Sequence, residues 1–435
     1  MRPSRPRGAV LAPVLALVLV LAPGCAPAPA PAPPPPEPEP APPVSQPPPP
    51  VARRDTAPPA APSRPRARLP VRIAFVGDVN LGTSTLPDGV PPDSGRALFA
   101  AARPYLAGDL VVGNLEGVIA DSGTSTKCRS DRPAVRRADG QRNRPMRRSR
   151  PDRPARRRVR PSERPTVGCY AFLTPTHLAA RLAEAGFTHL NLANNHAHDY
   201  GLAGRRSTET VLDTLGIRHY GPLGHIAIDT VVRGDSATVV GLVGFATYPH
   251  SYDLLDVSRS VAVVDSVRRL VDLLIVTFHG GAEGAAATRV GPGPEFLGQE
   301  PRGDLRAWAH AVIDAGADAV VGHGPHVLRG IELRAGRPIA YSLGNFATYR
   351  GFSMQGPLAL TGVLQLEFAP GGALTGARLV SMRQSPLHGP MPDPGGEAAA
   401  LVAELSVQDF GAAAARVAHD GTIDSPDGSL PAANP

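Results

Sequence analysis

Several short stretches of this sequence end in side chains that bind metals or move protons. They are Gly77-Asp78-Val79-Asn80, Asn114-Leu115-Glu116, Asn194-Asn195-His196, His279, and Gly322-His323-Gly324-Pro325-His326. Carboxylate oxygen, amide oxygen and imidazole nitrogen together suit Mn, Zn or Fe better than Mg alone, and the donors suffice for two ions. Two such ions, about 3.5–4 Å apart, can clamp an oxyanion and activate a water. Taken singly, a loop histidine is more often a hydrogen-bonded structural residue than a ligand, and Asp or Asn at a turn more often caps it. Recurrence at successive strand ends gives the set its weight, because ligands in open α/β sheets collect where strand ends converge.

The elements needed to position these residues are legible from Val71 onward as apolar strand, polar turn and amphipathic helix in repetition, the pattern of a layered α/β fold. Strands are expected at Val71 to Val76, Leu110 to Val112, Thr188 to Ala193, near His219, on either side of Gly234, at Leu273 to Phe278 and at Ala319 to Val321. A hairpin around Gly336 and two strands joined at Gly371-Gly372 complete the sheets. Thr174-Pro175 starts a helix that Gly186 ends. Further helices are expected over Ser207 to Leu215 and Leu305 to Ala315, the latter with Trp308 in the core. An alanine-rich helix and polar tail fill 386–435, after a domain running from 71 to 385.

The ends of the chain have a different character. Arg2, Arg5 and Arg7 precede an apolar run from Ala9 to Ala22 and then Pro23, Gly24 and Cys25, the order of a signal peptide over residues 1–24. That run is about fourteen residues, too short for a permanent span. Small residues followed at once by Cys25 resemble a bacterial lipobox, which implies a lipidated, extracytoplasmic membrane lipoprotein. Ordinary signal cleavage that leaves Cys25 unmodified is the alternative. Residues 25–70 are dominated by Pro and Ala and are expected to be a disordered, extended tether.

Of the 3 cysteines, Cys128 and Cys169 remain as a pair if Cys25 carries lipid, and an oxidising compartment would join them; two free thiols are the other reading. The formal charge of +7 is confined in origin. Residues 129–164 hold 15 Arg against 4 acidic residues, so the rest of the chain is mildly acidic. This removes specific nucleic-acid binding as an inference from charge. The segment lacks apolar periodicity and is expected to be a disordered Arg-rich insertion, able to meet anionic polymer or lipid through charge alone, or simply a tolerated surface insertion.

The motifs quoted above, with Asn114-Leu115-Glu116-Gly117, Asp199-Tyr200-Gly201 and Ser342-Leu343-Gly344-Asn345-Phe346, resemble the CapA family of capsule (poly-γ-glutamate) biosynthesis proteins. That family is similar to the calcineurin-like metallophosphoesterases. The resemblance implies a two-sheet sandwich flanked by helices, with a dinuclear centre in active members. It implies metal ligation by Asp78, Asn80, Glu116, Asn195, His279, His323 and His326, with His196 and Asp199 catalytic. Glu283, Asn114 and Asn345 would contact substrate. Asn80 stands where the superfamily has histidine, and two residues rather than one separate His323 from His326. The functions implied are a membrane-anchored participant in capsule or other anionic-polymer biosynthesis or export, working with the polymer or a membrane synthesis complex, and a metal-dependent hydrolase. A polymer-binding module without chemistry and a free-standing metallophosphoesterase are the alternatives.

Overall fold

The computed structural model describes residues 69–128 and 169–425. The signal segment, Cys25, most of the tether, the Arg-rich insertion and the last residues of the polar tail lie outside them. Among the described residues no helix is long and apolar enough to cross a membrane.

Two mixed sheets form the centre. Strands β1 (Val71–Asn80), β2 (Leu110–Leu115), β3 (His189–Asn191) and β4 (Arg218–Tyr220) belong to the first sheet. Strands β5 (Ala227–Arg233), β6 (Ser236–Ala246), β7 (Tyr252–Asp253), β8 (Leu273–His279), β9 (Ala319–His323), β10 (Ile331–Arg334) and β11 (Arg337–Ala340) make the second. The chain then returns to the first sheet through β12 (Asn345–Thr348), β13 (Leu360–Phe368), β14 (Leu374–Ser385) and β15 (Gly389–Pro392). The first sheet runs β15-β14-β13-β1-β2-β3-β4 with β12 beside β1; the second runs β10-β11-β9-β8-β6-β5 with β7 beside β6.

Alternation along the strands assigns the layers, since neighbouring side chains on a strand face opposite ways. Ile73, Phe75 and Val112 meet Leu242, Ile275 and Val321 between the sheets. Ala74 and Val76 face outward onto Leu98, Leu178, Leu182 and Leu212, residues of the helical layer that includes α1 (Ala180–Ala185) and α2 (Gly201–Thr214). On the far side, Leu274, Val276 and Phe278 pack against Val264, Trp308 and Val312 from α3 (Val257–Arg268) and α4 (Leu305–Asp314). The result is the layered α/β architecture expected from the sequence pattern, in the form of the two-sheet sandwich flanked by helices that the resemblance implies.

Differences from expectation have local causes. Helix α3 was not anticipated, because its valines are β-branched and suit strands better than helices. Its start is nonetheless capped, the Asp256 side chain accepting from the Arg259 N–H, and Ser260 fills a core position by accepting from Trp308 Nε1 at 2.9 Å. Helix α2 begins at Gly201, earlier than the expected Ser207. Helix α5 (Glu397–Phe410), expected beyond the end of the domain, adds Ala398 and Val402 to the inter-sheet cluster, and Ser406 Oγ accepts from the Ile331 N–H. Part of the polar tail forms a ribbon of Arg416–Val417 with Ile423–Asp424.

Cys128 and Cys169 are joined by a disulfide, Cα atoms 5.6 Å apart. Closing a loop of this length removes denatured-state entropy worth roughly 4 kcal/mol on the chain-entropy account.

Gly77 is the tightest point before the polar cluster. A Cβ there would lie 1.9 Å from the Gly344 carbonyl oxygen, the same oxygen that accepts from the Asp78 N–H at 2.9 Å. Because the obstacle is backbone, no rotamer change relieves it. Gly77→Ala is expected to cost about 1–3 kcal/mol or more, read as a lowered urea midpoint; an unchanged midpoint would contradict the packing described.

Candidate metal centre

The polar cluster forms where parallel strands of both sheets end. On β1, Asp78 would share the outward face of Val76 if the alternation ran unbroken. The pairing with β2 shifts register between Phe75 and Asp78, and Asp78 then pairs with Asn114 on one side and Asn345 on the other. That irregularity turns its carboxylate toward the second sheet, as bulges commonly do near functional sites. From the second sheet, His279 and His323 arrive as direct register partners at the ends of β8 and β9.

His326 reaches the cluster by a different route. Gly324 at φ +112° and His326 at φ +61° fold the loop back on itself, accommodating the residue that separates this spacing from the usual one. A non-glycine residue with such a φ is uncommon and is held only by its surroundings. Here His326 Nδ1 bonds Asp78 Oδ2 at 2.9 Å, with Nε2 3.7 Å from Glu116 Oε1 and 3.8 Å from Glu283 Oε2.

The structure thus brings together Asp78, Glu116, His279, His323 and His326, all buried. His323 Nδ1 lies 3.6 Å from Asp78 Oδ1, and His279 Nε2 lies 4.0 Å from Glu116 Oε1. Glu116 Oε1, His279 Nε2 and His323 Nδ1 are buried with no hydrogen-bond partner. Such orphaned atoms cost free energy, on the order of 1–3 kcal/mol each, unless something satisfies them. Oxygen and nitrogen donors converging at non-bonded distance fit a divalent cation, and Asp78, Glu116 and His326 place one donor atom each within 4.8 Å of one another.

The electrostatics agree with that fit. Burial would raise the Asp78 carboxyl, but the His326 hydrogen bond and the charges of His326 and His323 hold it below the usual range. Burial, reinforced by Asp78, pushes Glu116 well above its ordinary value. Burial drives His279 well down and His323 down to about 4, so both present lone pairs. Burial opposes a charge on His326 as well, yet Glu116, Asp78 and Glu283 raise it to about 9. Its proton answers the same negative surroundings that a cation would.

Asparagines hold the carboxylates in place. Asn114 Nδ2 donates to Asp78 Oδ1 at 2.9 Å and lies 3.5 Å from both Glu116 Oε2 and His279 Nδ1. Its Oδ1 accepts from Asn191 and Asn194, each at 3.1 Å. Asn114 is therefore a structural hub, where a substrate contact was expected. Asn80 also departs from its expected role as ligand: its Nδ2 donates to the Glu116 carbonyl at 2.7 Å and its Oδ1 accepts from the Gly82 N–H at 3.0 Å. Both ends of that amide are used to shape the loop.

Asn195 keeps a buried, unpartnered Oδ1 immediately after Asn194, and Asn345 keeps both amide atoms unpartnered beside Asp78. Glu283 pairs with buried Arg302 at 2.9 Å, and its Oε2 lies 3.8 Å from His326 Nε2. His196 Nδ1 lies 2.7 Å from Asp199 Oδ2, which also accepts from the Phe172 N–H at 2.8 Å. Burial lowers His196 despite Asp199. Phe172 packs on His196, ring centroids 4.4 Å apart, and Phe352 packs on His326 at 4.9 Å.

Sequence reasoning missed Lys127, whose Nζ lies 3.3 Å from Asp199 Oδ1, 3.2 Å from His196 Nδ1 and 3.1 Å from the Asn195 carbonyl. Its position next to Cys128 was the available signal. Arg302, Asn191 and the two phenylalanines carried none.

If these donors take up a cation, Mn2+ at a hundredfold excess over its dissociation constant should stabilise the fold by about 2.7 kcal/mol. Glu116→Gln and His323→Ala should each erase that increment in thermal unfolding with and without Mn2+. Equal stabilisation of wild type and both variants would show that the ion sits elsewhere.

The bacterial capsule synthesis protein (PGA_cap) family profile matches residues 158–350. The PGA biosynthesis protein CapA of Bacillus subtilis is 32% identical over 189 residues, covering 40% of this chain and 45% of the relative. The capsule biosynthesis protein CapA of Bacillus anthracis is 32% identical over 200 residues, covering 41% and 45%. The chain thus spans about half the length of the curated relatives it matches. Among solved structures, Haemophilus influenzae NAD nucleotidase aligns with a TM-score of 0.28 at 14% identity, covering 54% of this chain and 43% of that one. A Thermus thermophilus 5'-nucleotidase precursor aligns at 0.30 and 14%, covering 53% and 44%. Over residues 158–350, the region that carries Asn195, His196, His279, His323 and His326, the chain is similar to the bacterial capsule synthesis protein family and its CapA members.

Proposed function

We propose that this protein is an extracytoplasmic lipoprotein that serves capsule or related anionic-polymer synthesis as a metal-dependent hydrolase of phosphoester or amide bonds. The observation that carries the reading is the convergence of Asp78, Glu116, His279, His323 and His326, with donor atoms of three of them buried and unpartnered. Support for the setting comes from the basic, apolar and Cys25 sequence at the N-terminus and from relatives whose names place them in capsule synthesis. The partners proposed are the membrane, through lipid on Cys25, and an anionic polymer or the membrane complex that makes it.

A divalent ion held by these five residues would supply Lewis-acid polarisation of the scissile group and an acidified water. The remaining work falls to the chain. Asp78, kept ionised by His326, provides permanent negative charge at the centre. Asp199 fixes the His196 ring by accepting from Nδ1, which leaves Nε2 as the nitrogen free to exchange a proton. Burial lowers the affinity of His196 for protons, so Nε2 rests unprotonated and must first take up a proton before passing it to a leaving group. Lys127 adds positive charge beside the pair, and Phe172 and Phe352 keep water from the flanks of His196 and His326.

The test uses the purified chain loaded with Mn2+ or Zn2+ and an activated phosphodiester, with poly-γ-glutamate assayed in parallel for cleavage. His196→Ala is expected to lower kcat by about 10²- to 10⁴-fold while leaving metal content intact, and chelation should abolish turnover. Metal bound with no turnover on either substrate would leave a polymer-binding module. Turnover of the phosphodiester with no effect of the polymer would favour a free-standing phosphoesterase.

A further inference from the structure

Helix α2 and the turn after β4 present a second set of donors, outside the centre already described. Glu209 on α2, His219 on β4 and His225 on the following turn place one ligand atom each within 4.8 Å of one another. We propose that these three side chains bind a Zn(II)-class transition-metal ion that staples α2 to the turn.

The donor chemistry selects the ion. Two imidazoles and one carboxylate suit zinc and its borderline neighbours, whereas calcium and magnesium favour all-oxygen sites. Three protein ligands leave a coordination position for water.

The individual atoms are poised for it. Glu209 Oε1 and His219 Nδ1 are both buried and lack a hydrogen-bond partner. On the other side of the ring, His219 Nε2 lies 3.3 Å from Asp213 Oδ1. A carboxylate on that side can accept a proton carried at Nε2 and leave the Nδ1 lone pair to a metal, the arrangement that commonly backs metal-binding histidines. Asp213 can do this because it follows Glu209 by four residues, on the same face of the helix.

The turn that carries His225 is preformed. The Gly221 N–H donates to the His225 carbonyl at 3.1 Å and the His225 N–H donates to the Pro222 carbonyl at 2.8 Å. Gly221 and Gly224, at φ +106° and +84°, allow the chain to double back. The His219 and His225 ring centroids lie 6.5 Å apart. One charge opposes binding: Arg205 Nε faces Glu209 Oε1 at 3.3 Å, but without hydrogen-bond geometry. Its long stem lets the guanidinium swing aside.

The staple would act on the loops around the first centre. The Leu223 N–H of this turn donates to the His250 carbonyl at 2.8 Å, and His250 Nε2 lies 3.0 Å from the Asn194 carbonyl. Metal bound at Glu209, His219 and His225 therefore restrains the segment that positions Asn194 and Asn195.

The experiment counts Zn2+ on the full chain by equilibrium dialysis, in wild type, His225→Ala, Asp213→Asn and Asp78→Asn. His225 is exposed, so its removal leaves the fold intact, which circular dichroism checks. Expected is the loss of one Zn2+ per chain in His225→Ala, and affinity at that site about 10- to 100-fold weaker in Asp213→Asn. Asp78→Asn should retain the Zn2+ that His225→Ala removes, which separates this site from the other centre. Wild-type stoichiometry and affinity in His225→Ala would overturn the proposal and leave the first centre untouched. So would a site whose affinity ignores Asp213→Asn.

Discussion

Two carboxylates, Asp78 and Glu116, are buried where strands of the two sheets end, within a few ångströms of each other's imidazole partners, and the molecule is arranged around that burden. Taking a charged group out of water costs several kcal/mol even after relaxation. Asp78 meets the cost through His326 and Asn114, while Glu116 has fewer partners and is pushed toward its neutral form. The strands whose ends carry these groups must therefore be held rigidly enough that no rearranged side chain relieves the tension. Apolar clusters on both faces of both sheets provide that rigidity, and close backbone approaches such as Gly77 against Gly344 fix the last ångström.

Amide side chains do the fine positioning. Asn114 can donate and accept at once, so one residue orients a carboxylate and receives two neighbouring asparagines without adding charge. A lysine or aspartate in its place would alter the balance that keeps His279 and His323 neutral. Asparagine-rich strand ends thus belong to the support of the site as much as to its reactive part, which explains why Asn80 and Asn114 are spent on protein contacts.

Much of this was legible in the sequence. The strand ends that carry Asp78, Glu116, His279 and His323 announce themselves through apolar runs that stop at glycine or a polar residue, and the layered α/β class follows from the repetition of strand, turn and helix. What could not be read were features that depend on three dimensions. The register shift that turns Asp78 inward leaves no mark in composition. The positive φ of His326 has none either, so its irregular spacing looked like a departure when the loop simply absorbs it. Helix α3 was hidden because its valines satisfy strand preference and its core serine looks like surface until Trp308 is seen to bond it. Arg302 reaches the site from a short two-stranded ribbon, Glu295–Leu297 with Glu300–Gly303, and Lys127 from a loop, where sequence pattern carries little information.

The bond between Cys128 and Cys169 sets the departure and return points of the intervening chain 5.6 Å apart. Lys127 and Phe172, which flank His196, sit just inside that clamp. Lengthening the excursion between the cysteines costs little, about 0.6 kcal/mol for each doubling, and cannot pull on the residues behind the clasp. Evolution is therefore at liberty to rewrite the arginine-rich stretch in size and charge, as one changes the banner and leaves the flagpole, without retuning the chemistry beneath it.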